Sequence, residues 1–580
     1  MKSEDFIKQV KEKIVSIIGE IAGKETSALP ELVTEIPPQQ ELGDLAFPMF
    51  KYAKELHMAP PKIAQEIQNK LVDCELIAKS EIKGPYLNVF LNRGILSKAV
   101  LSETLEKKEN VGTLDAKNEK VLIEFSCPNT NKPLHLGHCR NNVLGDSIAR
   151  IYKKAGFDVT KVNLINDRGV HICKSMLAYQ KFGDNCTPES LNKKSDHVVG
   201  DFYVKFAIEA DKDANLNKEA QEMLIKWEAK DPEVRALWEK MNDWAIGGIE
   251  ETYKKMGISF DCVQRESETY ILGKDIVQQG LDKGVFYKEK EDNSVWINNE
   301  DVGLDKKIVL RGDGTSIYIT QDIGTLVKRQ ELFGFDRMIY VVGSEQIYHF
   351  QTLFAIMKKL GYKWADKCYH LSYGMVNLPE GKMKSREGKV VDADNLMEEL
   401  QQLSYEVVCE KHPDWTDDEK QETARKISLG ALKYYLLNFN TGKDVMFDPK
   451  KSISFDGNTG PYLQYTTARI NSLLKKAGDV SFDFEILKDY SFRDEEWQVV
   501  SKLMQFERAI SQAAAEYSPL EICSYLYDLV RLYSKMYHEL PIVTADNQNE
   551  KDVRLMITKA VQYVLTSGLE MLGIDALDKM

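Results

Sequence analysis

The chain has 580 residues and 43% hydrophobic composition, more than one ordinary core accommodates, so two to four domains are expected. Its 77 basic against 90 acidic residues give a net charge of −13, which excludes a protein that coats nucleic acid by bulk attraction, although a defined RNA needs only a local basic track. Nine cysteines without a C-x-x-C pair exclude a zinc ribbon and a disulfide framework.

A reducing cytoplasm is the expected setting. The start Met1-Lys2-Ser3-Glu4-Asp5 carries no apolar signal core, and no run of about eighteen apolar residues suggests a membrane span. The first hundred residues read as a small α+β module. An amphipathic stretch over residues 6–21 precedes a Pro37-Pro38 break, a Gly43-Asp44 turn and helices on either side of Pro60-Pro61. The module closes on residues 84–91, which alternate like a strand. Tyr86 and Asn88 share one face of that strand and are expected to be exposed, where they would stack on and hydrogen-bond an unpaired base. Polar residues 107–118 read as a linker.

The apolar run 121–125 follows, with Glu124 inside it, where a charge is costly unless paired. Next comes Lys132-Pro133-Leu134-His135-Leu136-Gly137-His138 at the opening of a helix whose apolar face holds Leu144, Ile148, Ile151 and Tyr152. The helix ends near Gly156 and leads into an extended stretch over 158–165. Strand, helix and strand form a βαβ unit with the motif at its first crossover, where open α/β sheets bind ligands. Unpaired N–H groups and the helix dipole favour an anion there by roughly 0.3 to 2 kcal/mol each, which suits the phosphates of ATP. His135 and His138 add donors, and Gly137 lets a flat base approach the backbone. Two histidines without a third ligand indicate no catalytic metal.

Residues 181–296 interrupt the sheet pattern and read as one insertion with helical segments such as 218–230 and 232–256. The sheet is expected to resume at 316–320 and 338–342. Gly343-Ser344-Glu345-Gln346 forms another strand-to-helix turn at the same rim. Asp322 lies four residues after Tyr318, on one face with it. With Glu124, these residues suit a guanidinium, whose planar donors pair best with carboxylates. The expectation is that Glu124 and Asp322 converge beside the nucleotide cradle, not neutralised by internal partners. After the strand-like stretch 368–373 comes a basic loop, Gly381-Lys382-Met383-Lys384-Ser385-Arg386-Glu387-Gly388. From about residue 455 the pattern is all-helical and implies a bundle. Ser518-Pro519-Leu520-Glu521 is its clearest helix start, and Ile557, Val561, Val564, Leu565, Gly568, Leu569 and Leu572 form one apolar face of its last helix.

The histidine motif and the basic loop together resemble the two signatures of class I aminoacyl-tRNA synthetases. Residues 121–129 with 132–140, and residues 457–465, resemble arginyl-tRNA synthetases in particular, and the resemblance covers essentially the whole chain. It implies an α/β fold: a Rossmann-like parallel-sheet catalytic domain with an insertion (113–450, insertion about 181–296), an N-terminal α+β added domain (1–112) and a C-terminal all-α helix bundle (451–580). It implies that Glu124, Tyr318 and Asp322 hold the substrate guanidinium and that Asn129 and Gln346 hold the amino-acid end. His135, Gly137, His138, Lys382, Met383 and Ser385 would bind ATP, with Lys382 stabilising the departing pyrophosphate. Tyr86 and Asn88 would meet the tRNA D-loop, and Tyr465, Arg469, Tyr537 and Met580 the anticodon stem-loop.

Two positions depart from the family pattern. Arg386 stands where the second signature ends in lysine, so Lys132 would supply the missing ammonium; His171 stands where many relatives carry glutamine. The reaction implied is ATP-driven activation of arginine, then transfer to the 3′-terminal adenosine of tRNA-Arg, releasing AMP and pyrophosphate. Mg²⁺ would arrive with ATP, with no zinc and no dedicated ligand set. Paired acids reject uncharged analogues strongly enough that no editing domain is expected. A cytoplasmic monomer is the expected form. The alternatives are a class I synthetase for another amino acid and an inactive paralogue that binds tRNA.

Overall fold

The computed structural model describes residues 3–35, 37, 39–71, 74–377, 379, 391–478 and 482–580. The helix Ser3–Ala22 buries Phe6, Val10, Ile14, Ile17 and Ile18, a helical-period stripe. It packs with three antiparallel strands, β1 (Leu45–Pro48), β2 (Ile77–Lys83) and β3 (Tyr86–Leu91), in the order β1-β3-β2. Asp44 ties this module to the far end of the chain, accepting from Leu91 N at 2.8 Å and from Trp497 Nε1 at 2.9 Å.

The central sheet comprises β4 (Lys120–Glu124), β5 (Asp158–Ile165), β6 (Cys262–Arg265), β10 (Arg337–Gly343) and β11 (Cys368–Tyr373). A small antiparallel sheet of β7 (Tyr287–Lys288), β8 (Val295–Ile297) and β9 (Lys307–Leu310) lies between β6 and β10 in sequence. The central order is β11-β10-β4-β5-β6, all parallel. Both faces are covered, as a parallel sheet requires. Val121 and Ile123 enter one core with Leu144 and Ile148, and Leu122 enters the other with Ile323 and Leu326. From β4 the chain crosses to β5 on one side and later reaches β10 on the other. The carboxyl ends of β4 and β10 therefore flank a switch point where ligands bind.

Two expectations need correction. The segment 181–296 is not one insertion, because β6 pairs with β5 through Val162↔Cys262 to Ile165↔Arg265 and completes the central sheet. Helices between Val170 and Met256 precede β6, and the small antiparallel sheet follows it. Residues 316–320 are not a strand either. Ser316 makes an isolated bridge to Leu310, and Tyr318 begins the helix Tyr318–Phe333. The β-branched residues favour a strand locally, but burial of Ile319, Ile323 and Leu326 at helical spacing overrides that preference.

The strands β12 (Val376–Asn377) and β13 (Val445–Met446) form a two-stranded parallel pair. The helices Ala393–Lys411 and Asp417–Leu437 pack together ahead of the bundle helices Gly460–Ala477, Asp494–Leu503, Phe506–Ala515, Pro519–Glu539 and Gln548–Met571. The last helix buries the whole expected face, including Ile557, Val561, Val564 and Leu565. Pro519 opens its helix, while the Ser518 side chain makes no capping bond. The end of the chain lies against the motif helix, with Ser147 Oγ donating to Met571 O at 2.9 Å. Among the described residues no helix is long and apolar enough to cross a membrane.

Candidate active site

The histidine motif turns out of β4 and starts the helix Leu136–Lys154, capped by His135. His135 Nδ1 accepts from Gly137 N at 3.1 Å, and His138 Nδ1 accepts from His135 N at 3.1 Å. Each imidazole therefore carries its proton on Nε2 and remains a neutral donor. Burial and the nearby Lys132 charge push His135 down to about 4; burial, His135 and Lys132 hold His138 well below its usual range. The rings lie 3.9 Å apart between centroids. A Cβ on Gly137 would come within 3.0 Å of the His135 ring, so glycine here admits the imidazole over the first turn. About two turns further, a Cβ on Gly145 would overlap the Phe125 ring, and glycine brings the helix down onto the end of β4.

Lys132 is half-buried, and burial lowers its ammonium pKa. Beside it opens a cavity of about 160 Å³ lined by Lys132, Leu134, His135, His197, Tyr203 and Asp392. Lys382, Met383 and Ser385 lie outside the described residues, as do Gly381, Lys384 and Arg386. The chain on either side of that loop is anchored to the motif. Leu136 N donates to Val391 O, and Ala393 N to Leu134 O, both at 3.0 Å. On the other side the buried Arg140 guanidinium donates to the carbonyls of Gly374, Met375, Thr441 and Lys443.

The acids differ from expectation. Glu124 ends β4 and is buried, and its Oε2 contacts Nη2 of Arg329, itself 1% exposed. Arg329 Nε also donates to Gln264 Oε1 at 2.8 Å. The expectation that Glu124 is not neutralised is thus corrected: its charge is taken up inside the chain. Asp322 is half-exposed and also has an internal partner, His349 Nε2, 2.6 Å from its Oδ2. Burial pushes the Tyr340 phenol far up, opposed by the Arg329 charge and reinforced by Glu124, Cys368 and Asp322. Tyr318 is 75% exposed at the helix start, and Asn129 and Gln346 are also exposed at the carboxyl rim, so all three are open to a ligand.

Sequence reasoning missed Glu266. It opens a short helix directly after β6, held there by Asp167, which accepts from Ser267 N and Oγ at 2.8 Å. Burial, opposed by Arg168 and reinforced by Asp167 and Asp322, pushes the Glu266 carboxyl up to about 7. Arg168 itself is paired with Glu228. A carboxyl in this state, beside a second acid, is set to gain from an incoming cation. The only sequence signal was an acid at a strand's carboxyl end, hidden because β6 spans four residues.

Between Glu124 and Asn129 the backbone is left-handed at two successive non-glycine residues, Ser126 (φ 75°) and Cys127 (φ 48°). Such residues cost of order 1–3 kcal/mol each and cluster at ligand sites. His171 lies on the helix Val170–Phe182, its Nδ1 3.1 Å from Tyr203 OH.

The expected RNA contacts divide. Asn88 is 4% exposed rather than open, because β3 is the middle strand of its sheet, with β1 and β2 on either side. Tyr86 is half-buried and meets the exposed Phe50 edge-on at 6.1 Å. In the bundle the expected residues come together. The Arg469 guanidinium lies 4.6 Å from the Tyr537 ring centre and 5.9 Å from that of Tyr465, and donates to Ser534 Oγ. Met580 packs nearby with Ala468, Trp415 and Phe455.

Comparison with known proteins covers the chain almost end to end. The model for tRNA synthetases class I (R), catalytic domain, matches residues 100–449; the arginyl tRNA synthetase N terminal domain matches 6–91 and the DALR anticodon binding domain 463–580. The arginine–tRNA ligase of Treponema denticola is 48% identical over 95% of each chain, and that of Bacteroides thetaiotaomicron 44% identical over both full lengths. The solved Thermus thermophilus arginyl-tRNA synthetase superposes with a TM-score of 0.83 at 27% identity, covering 99% of this chain and all of the other.

Proposed function

The chain belongs to the arginyl-tRNA synthetase family of class I enzymes and is an arginine–tRNA ligase, and from that premise we propose how its residues divide the work. The arginine α-carboxylate attacks the α-phosphorus of ATP; a P–O bond forms, the bond to pyrophosphate breaks, and arginyl-adenylate results. A ribose hydroxyl of the tRNA 3′-terminal adenosine then attacks the adenylate carbonyl and AMP leaves. Both reactants of the first step are anionic, so positioning and charge stabilisation carry it.

His135 and His138 donate from Nε2 to the phosphates as neutral groups, and Gly137 clears the approach. Lys132 supplies an ammonium, joined by Lys382, Met383 and Ser385 from the signature loop. Mg²⁺ arrives on the triphosphate, held mainly by phosphate and water. The guanidinium is gripped by Asp322 and Glu266 with Tyr318 at the mouth, while Asn129 and Gln346 hold the amino-acid end. Glu124 acts through Arg329, fixing the helix that carries Asp322. The observation that carries this reading is the start of the motif helix, where His135 and His138 each accept a backbone N–H at Nδ1 and so keep Nε2 as a donor.

Residues 1–112, 113–450 and 451–580 divide as added, catalytic and anticodon-binding parts. Tyr86 with Phe50 meets the D-loop, with Asn88 beneath it in the sheet. Tyr465, Arg469, Tyr537 and Met580 face the anticodon stem-loop. One chain in a reducing cytoplasm is the working form, and the nine cysteines are all unbridged. Adenylate formation tests the nucleotide half. Lys132→Ala is expected to slow it by about 10- to 100-fold with arginine KM little changed; an unchanged rate would remove Lys132 from the site.

A further inference from the structure

The left-handed turn at Ser126 and Cys127 is held by side chains from three separate elements. Asn141, on the motif helix, accepts from Ser126 N at 2.5 Å. Asn163, on β5, accepts from Cys127 N at 3.1 Å. Tyr253, near the end of the helix Pro232–Met256, places its hydroxyl 2.6 Å from Ser126 Oγ and 3.2 Å from Asn163 Nδ2. The holding groups are themselves tied down. Asn141 Nδ2 donates to Val341 O at 2.8 Å and to Tyr373 OH at 3.0 Å, reaching β10 and β11. Asn141, Asn163, Tyr253 and Ser126 are all at most 6% exposed.

Ser126 N gains no ladder partner and relies on Asn141, whereas Cys127 N divides its bond between Asn163 and Phe125 O, the latter at 3.2 Å. The network therefore determines the path of the chain for the next residues. Asn166 extends the hold, donating from Nδ2 to Cys127 O and from N to Pro128 O, both at 2.9 Å, while Thr130 N donates to Asn166 O at 3.2 Å. Asn129 lies between these fixed points and is exposed.

We propose that Asn141, Asn163 and Tyr253 are positioning residues that hold the Ser126–Cys127 turn and so set where Asn129 meets the amino-acid end of arginine. Tyr253 lies on the last helix of the segment between β5 and β6, so that segment helps shape the substrate site without touching substrate. The inference rests on the assignment of Asn129 made above.

The test uses the full-length enzyme in tRNA charging. Asn163→Ala and Tyr253→Phe are each expected to raise arginine KM about tenfold or more through displacement of Asn129, with ATP KM within about twofold. Adding Cys127→Gly to Asn163→Ala is expected to bring arginine KM back to within about threefold of wild type, because glycine takes a positive φ at no steric cost. A merely structural role would lower thermal stability without splitting the two KM values or yielding to glycine. Tyr253→Phe removes a single hydroxyl and carries the test if Asn163→Ala does not fold. Asn129→Ala separates the two readings. If it raises arginine KM while both network variants leave it unchanged, the positioning role is overturned. If it has no effect itself, the assignment of Asn129 falls and the inference falls with it.

Discussion

His349 Nε2 lies 2.6 Å from Asp322 Oδ2, so the acid assigned to the substrate guanidinium is already oriented by a partner within the chain. The pair joins the start of the helix after Gln346 to the helix that Tyr318 opens. Asp322→Asn keeps the shape and removes the charge. It is expected to lower arginine kcat/KM by about 10²-fold or more, the scale of a charge-assisted pair, and to leave ATP KM within about threefold. Steady-state kinetics in each substrate checks this, and equal losses in both would place Asp322 elsewhere.

Glu266 gives the site a pH dependence. Its carboxyl, pushed up to about 7, must be ionised to pair with a cation, so arginine kcat/KM is expected to fall by up to about tenfold per pH unit below 7. Glu266→Gln is expected to flatten that limb and lower the plateau. His135, at about 4, adds no limb over this range.

The same shift predicts a stability trend. The folded pKa lies above the unfolded one, so the protonated carboxyl is favoured in the fold; its contribution is complete below the unfolded value and is lost as pH rises through 7. Glu266→Gln is therefore expected to raise the melting temperature at pH 8 and leave it nearly unchanged at pH 4. Melting curves at the two pH values decide this.

The buried Glu124–Arg329 pair makes a non-additive prediction. Either single change, Glu124→Leu or Arg329→Met, leaves an uncompensated buried charge and is expected to cost about 3 to 5 kcal/mol in urea unfolding. The double variant is expected to lose less than either single one. Additive losses would mean that the two side chains act independently.

In the bundle, Arg469 between Tyr465 and Tyr537 is expected to act on RNA alone. Arg469→Ala is expected to raise tRNA KM by about tenfold, the scale of one lost stacking or charge contact, without altering adenylate formation. Charging assays at varied tRNA concentration check it.

The motif turn that opens the helix Leu136–Lys154 was legible in the sequence because a local pattern makes it: histidines three apart, a glycine between them, an apolar run before and helical spacing after. The last helix was legible for the same reason, with a periodic face from Ile557 to Leu572 that packs as written. Features set by distant partners were not. Alternation placed Tyr86 and Asn88 on one face, but only the flanking of β3 by β1 and β2 decides that Asn88 is buried. Residues 316–320 have strand-like composition and become a helix start through packing of Ile323 and Leu326. Arg329 carries no local signal in the sequence, and only its burial against Glu124 shows that this acid has an internal partner. Glu266 was lost in a segment read as an insertion because its strand is four residues long.

The most direct test of a guanidinium site built on Asp322 and Glu266 compares arginine with citrulline, its neutral urea counterpart, in tRNA charging by the wild type and by Asp322→Asn. Paired acids in the site are expected to favour arginine by about 10⁴-fold in kcat/KM in the wild type, and the ratio is expected to shrink by about two orders of magnitude in the variant. An unchanged ratio would show that selection for the positive charge is made somewhere else.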